Sequence, residues 1–132
     1  MAANTEPIFA LTPVIGKASI STANTARDGS GTLGTVITGA TDGTRITRVR
    51  VISSGSAVTA GMVRLFIETS GSAVLYDECP VTATSPSNTV AGFDYTFEYL
   101  AERAIVLPNA VSLKASTAIG ETFNVWAEGG NC

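Results

Sequence analysis

The sequence predicts an all-β protein: a single antiparallel β-sandwich, jelly-roll-like, with an extended N-terminal arm. Three observations carry this. Apolar residues recur with a period of two, in short runs rich in Val, Ile, Thr, Tyr and Phe. No long segment sets apolar residues at helical spacing between caps. The runs are cut by Gly, Ser, Asn and Pro about every 8–12 residues, the spacing of sandwiches and barrels. A chain of 132 residues suits one domain.

Residues 1–13 are read as the arm and 14–132 as the sandwich. Pro7 and Pro13 bracket "IFALT", which suits an extended segment more than a core strand. Ile8, Phe9 and Leu11 on such an arm need a partner surface, so they are candidate interface residues. Strands are expected at Ile15–Thr22 and Thr32–Thr38, separated by the glycine-rich "NTARDGSGT". In "TRITRVRVI", Val49 and Val51 share one face and Arg48 and Arg50 the other. Ile46 has the parity of the arginines, so this strand either bulges near Thr47 or is partly buried on both sides.

"GMVRLFIET" places Val63, Leu65 and Ile67 on one side, with Met62, Arg64, Phe66 and Glu68 on the other. Val74–Val81 follows after the turn "TSGSA". "GFDYTFEYL" is the clearest alternation: Phe93, Tyr95, Phe97 and Tyr99 form an aromatic stripe opposite Asp94, Thr96 and Glu98. Weaker strands are expected at Ala104–Leu107, Val111–Ser116 and Phe123–Ala127.

Charge narrows the function. Only 14% of residues are charged and the net charge is −3, against roughly 25% charged in ordinary soluble proteins. So poorly charged a surface suits a subunit that packs against others. No basic excess invites nucleic acid, and no apolar run is long enough for a membrane helix. The N-terminus lacks the basic and apolar regions of a secretory signal, which points to synthesis in a cytoplasm. Histidine is absent, which removes the commonest general base and metal ligand. Cys79 and Cys132 lack zinc spacing and read as a small buried residue and a free terminal thiol, the alternative being a bridge between them, which needs an oxidising compartment.

Several motifs fail on context. Gly29-x-Gly31-x-x-Gly34 has the dinucleotide spacing. That chemistry needs a hydrophobic strand before the glycines, a helix after them and an acidic residue about 20 positions on. Here a polar stretch precedes, a β-prone stretch follows, and arginines stand where the acid belongs. The segment reads as a turn, with the glycines at positive φ and Asn24 and Asp28 bonding nearby backbone. As a calcium loop, Asn24, Asp28 and Ser30 lack a bidentate glutamate. Asp77 and Glu78 point to opposite faces of a strand, and Glu98 with Glu102 is a weak glycosidase pair. No cofactor and no catalytic residue is assigned.

The arginines are the remaining candidates. Arg45, Arg48, Arg50 and Arg64 are half of the eight basic residues. If their two strands pair, Arg48, Arg50 and Arg64 share a face. That face either forms ion pairs with Glu68, Asp77 or Glu98 or meets an acidic partner. An alternative of another class is a carbohydrate-binding module using the Phe93–Tyr99 stripe or Trp126.

The order "ANTARDGSGT", "DGTRITRVRV", "AGMVRLFI", "LPNAVSLKAST" and "ETFNVWAEGG" resembles small structural proteins of tailed bacteriophages and prophages. The resemblance runs from about Ala18 to Gly130. It implies a non-enzymatic virion protein, made in the bacterial cytoplasm. The leading role is a capsid decoration or cement protein on the outer shell, partnered by the major capsid protein. It would be homo-oligomeric, a trimer matching local three-fold sites. A tail, fibre or baseplate component is the alternative. The group carries no catalytic motif to map.

Overall fold

The computed structural model describes residues 12–55, 57–100 and 103–132. Among these residues nine strands form two antiparallel sheets: β1 (Thr12–Ile20), β2 (Gly34–Thr38), β3 (Thr44–Ser53), β4 (Gly61–Thr69), β5 (Ser72–Val81), β6 (Asp94–Glu98), β7 (Ile105–Leu107), β8 (Ser112–Thr117) and β9 (Phe123–Asn131). One sheet has the order β1-β9-β3-β6, with β7 also on β3; the other is β2-β8-β4-β5. β6 and β7 are two pieces of one strand along the same edge of β3. Counted that way, eight strands pair as in a jelly roll.

Most connections cross between the sheets. The exception is the β4–β5 hairpin, whose two-residue turn places Ser70 and Gly71 at φ 51° and 81°. Two consecutive positive φ values define the primed turn that matches strand twist.

The inner faces supply the core. Val49, Val51, Phe123 and Val125 of the first sheet meet Val63, Leu65, Leu113 and Ala115 of the second, all without exposed surface. Burying each such aliphatic or aromatic side chain contributes roughly 1.5–3 kcal/mol. Phe93 packs edge-on to Phe123, with ring centres 6.2 Å apart. The bulge anticipated near Thr47 is present, since the register of β3 against β9 shifts between Ile46 and Arg48. Ile46 thereby reaches the core while the arginines stay outside.

Elsewhere the pattern misleads. β4 buries Val63 to Phe66 consecutively, because its outer side is also covered; the register shift against β5 leaves the extra residue, Tyr76, on β5. Phe66 is fully buried, yet stands apart from the central core cluster. The cover is the β1–β2 connection. Asn24 N–H bonds the Thr117 carbonyl at the end of β8, and Arg27 reaches Glu78 of β5. The connection therefore crosses over β4. Of the aromatic stripe, Phe93, Phe97 and Tyr99 are buried, whereas Tyr95 is 42% exposed on an edge strand.

β9 runs beyond the expected Ala127 to Asn131, since it lies between β1 and β3 and is paired on both sides. β1 begins at Thr12, so Pro13 belongs to an edge strand, where its missing N–H is tolerated. Ile8, Phe9 and Leu11 lie outside the described residues.

The crossing strap depends on its glycines. Gly29 and Gly31 take φ of 87° and 79°. A Cβ on Gly29 would overlap the Ala73 carbonyl, and one on Gly31 the Asn24 side chain. Asn24 ties the strap by donating from Nδ2 to the Ser30 and Thr32 carbonyls, both at 2.9 Å, while its Oδ1 accepts from Ala26 N–H. Gly29→Val or Gly31→Val is expected to lower the melting temperature by roughly 5–10 °C, given the left-handed penalty of about 1–2 kcal/mol plus the overlap. Thermal unfolding followed by circular dichroism measures this; an unchanged midpoint would remove the structural role of the turn.

Candidate functional site

Among the described residues, two outer faces and the β5–β6 edge differ in chemistry. On the β1-β9-β3-β6 face, antiparallel pairing aligns outward side chains in cross-strand rows. One row reads Ile15, Glu128, Arg48, Glu98. The next reads Lys17, Trp126, Arg50, Thr96, and the third Ser19, Asn124, Ile52, Asp94. Trp126 stands at the centre, half-buried.

The charges on this face are fixed by one another. Arg48 grips Glu128 with Nε and Nη2 at 2.6 and 2.9 Å. Arg50 reaches diagonally to Asp94 at 3.1 and 3.2 Å. Both are two-point contacts, the geometry in which guanidinium matches carboxylate best. The Arg48 hydrogen bond holds the Glu128 carboxyl below the usual range. Lys17 Nζ lies 5.7 Å from the Trp126 ring centre. Trp126 lines two shallow depressions. That of about 340 Å³ is bordered by Arg48, Arg50, Asp94, Thr96 and Glu128, and that of about 330 Å³ by Lys17, Ser19 and Asn124.

The opposite face is the covered one. Glu78 receives Arg27 at 2.7 Å and Arg64 Nε at 3.0 Å. Its carboxyl is held low, chiefly by Arg27 and further by Arg64. Arg64 is 8% exposed, and its Nη1 and the cross-strand Ser116 Oγ are buried without a protein partner. In the strap itself, Asp28 accepts from the Ser30 hydroxyl at 2.6 Å and from its N–H, which lowers the Asp28 carboxyl.

The third feature is the edge between β5 and β6. β1 and β2 approach each other along one side of the sandwich. Along the other, a ladder of rings runs Tyr76, Tyr99, Phe97, Tyr95, with successive centres 5.8, 6.3 and 4.9 Å apart. Tyr99 donates its hydroxyl to Asp77 Oδ2 at 2.8 Å, linking the two sheets. Burial, then the Asp77 carboxylate, pushes this phenol up. The ladder ends are uncovered, as are the neighbouring Val74 and Leu100.

The candidate arginines are thus separated. β3 and β4 lie in different sheets, so Arg48 and Arg50 share one outer face and Arg64 sits on the other. All three are ion-paired, but with Glu128, Asp94 and Glu78 instead of Glu68, Asp77 or Glu98. Those partners depend on which strands become neighbours. Gly34 of the dinucleotide-like spacing opens β2 and not a helix. Cys79 is buried and free, its thiol pushed up to about 12 by desolvation, and Cys132 is also free. Trp126 was legible as an aromatic candidate; its cationic and carboxylate neighbours were not. No protein-family model matches the chain, and no curated protein shows significant similarity to it.

Depressed carboxyls stabilise the fold above their ordinary range, about 4.5 for glutamate, and this contribution is lost as pH falls through the lower folded values. The melting temperature is expected to be flat from about pH 7 to 5 and to fall below about 4.5. Glu78→Gln should lower the midpoint already at neutral pH, since it leaves Arg64 buried and unpaired. Glu128→Gln on the open face should change it little. Melts across pH check both; equal midpoints for the two variants at pH 7 would contradict the contrast.

Proposed function

We propose that this chain is a non-enzymatic structural protein of a bacteriophage virion, acting as a decoration protein that binds and reinforces the outer capsid shell. The observation that carries the reading is the open β5–β6 edge. Val74, Tyr76, Tyr95 and Leu100 lie along it, 42–64% exposed, while the other exposed large apolar residues among those described, Ile15, Val90 and Val106, stand apart on β1, the β5–β6 connection and β7. An apolar strip of this kind marks a surface that meets another protein.

The jelly-roll frame, the low charge and the sequence resemblance support the reading together. The frame alone does not assign a role, because unrelated functions share it. The partners are the major capsid protein and further copies of the chain, arranged as a trimer at local three-fold positions on the shell exterior. Tyrosines suit such contacts, since each offers a large rigid ring and a polar tip. Ile8, Phe9 and Leu11 of the N-terminal segment are a second candidate contact.

The decisive quantity is the copy number per purified particle relative to the major capsid protein. A ratio of order one is expected. A handful of copies would favour a tail, fibre or baseplate position, and absence from clean particles would overturn the virion reading. Tyr76→Glu combined with Tyr95→Glu is expected to abolish incorporation while leaving the melting temperature within a few degrees, because the changed positions are already exposed.

A further inference from the structure

We propose that the face around Trp126 is a binding site for a neutral oligosaccharide, distinct from the apolar edge assigned to assembly. Three properties of the face point to this chemistry. The first is charge. In the three rows around Trp126, Lys17, Arg48 and Arg50 stand against Asp94, Glu98 and Glu128, so this part of the face is dense in charged groups that sum to no net charge. A phosphate backbone or an acidic peptide needs a cationic excess. A ligand of no net charge matches it.

The second property is the supply of hydrogen bonds. Arg48 and Arg50 each spend two donor nitrogens on one carboxylate. A guanidinium carries five N–H donors and a carboxylate about four acceptor sites. Each pair therefore retains both donors and acceptors, held in fixed planes by the two-point contact. Thr96 and Asn124 add neutral groups of both kinds in the same rows as Arg50 and Ile52. Sugar hydroxyls donate and accept at once, so they satisfy such a mixed array, whereas a simple anion or cation satisfies half of it.

The third is shape. Trp126 separates two depressions of about 340 and 330 Å³, at the lower end of small-molecule sites. Lys17 lines only the second. The other depression brings the indole beside both arginine–carboxylate pairs. A half-buried indole offers an apolar ring to the flat hydrogen-bearing side of a pyranose with equatorial hydroxyls. The surrounding polar groups then meet that sugar's rim. Trp126 and Arg50 are the residues assigned to ring and rim contact.

Trp126 is the only tryptophan, so its emission reports this face directly. The probes are cellohexaose and chitohexaose, titrated to about 10 mM against the full-length protein, with amide and indole shifts followed by NMR in parallel. A saturable change in Trp126 emission with at least one probe is expected, with the largest NMR shifts at Trp126, Arg50 and Thr96. Arg50→Ala should weaken binding about 10-fold or more, the loss anticipated when charged-group hydrogen bonds go. Tyr76→Glu should leave it unchanged.

Trp126→Ala should abolish the NMR shifts. If that variant fails to fold, Arg50→Ala and Thr96→Val carry the test, each with its melting temperature recorded. No response to either probe at about 10 mM would overturn the site. So would shifts centred on another surface, binding insensitive to Arg50→Ala, or a capsid complex in which this face is buried against the shell. None of these results depends on the copy number in particles, so the site and the decoration role fail separately.

Discussion

One extra residue in β3 governs much of this molecule. Thr47 interrupts the alternation, so Ile46 and Val49 both enter the core although their spacing is odd. The bulge also breaks the strand on the other side. β6 ends at Glu98 opposite Arg48, and β7 resumes at Ile105 opposite Ile46. Tyr99 sits in the gap, its N–H on the Thr47 carbonyl and its hydroxyl on Asp77 of the other sheet. A bulge that re-aims side chains is a common device near functional surfaces. Here it sets Ile46 inward and Arg48 and Arg50 outward.

The two outer faces show what a connection can do to a sheet. Across β8, β4 and β5 the long β1–β2 strap lies down, and residues on that face become interior. Phe66 loses all exposure and Arg64 nearly all, the latter compensated by Glu78. A buried arginine is tolerated only with such a partner. Across β1, β9, β3 and β6 nothing lies down among the described residues. Arg48 and Arg50 remain about half exposed there, and their pairs are held by cross-strand register instead of burial.

On the proposed reading, this asymmetry would keep assembly apart from recognition. Four of the exposed large apolar residues lie at the β5–β6 edge, while the open face keeps Arg48 and Arg50 paired, with Trp126 half-buried between its rows. A subunit organised this way can attach by one surface and present another. The rigid sheet beneath Trp126 favours a preorganised site, because each group around it is set by a register position and not by a mobile loop.

How much of this was legible in the sequence follows from the range of the forces involved. Alternation is local, so composition and two-residue periodicity determined the all-β class, most strand positions and the glycine turn, and offered the bulge near Thr47 as one of two readings of β3. Boundaries drifted where pairing on both sides prolonged a strand, as at β9. The grouping of Arg48 and Arg50 with Arg64 was not legible, since adjacent strands in sequence became members of different sheets. Nor were Glu128 beside Arg48, Asp94 beside Arg50 or Asp77 beneath Tyr99, pairs separated by 80, 44 and 22 positions. Local periodicity specifies which residues alternate; which strands meet is settled by the fold as a whole, because the order of strands in a sheet is set by long-range packing that no local period records.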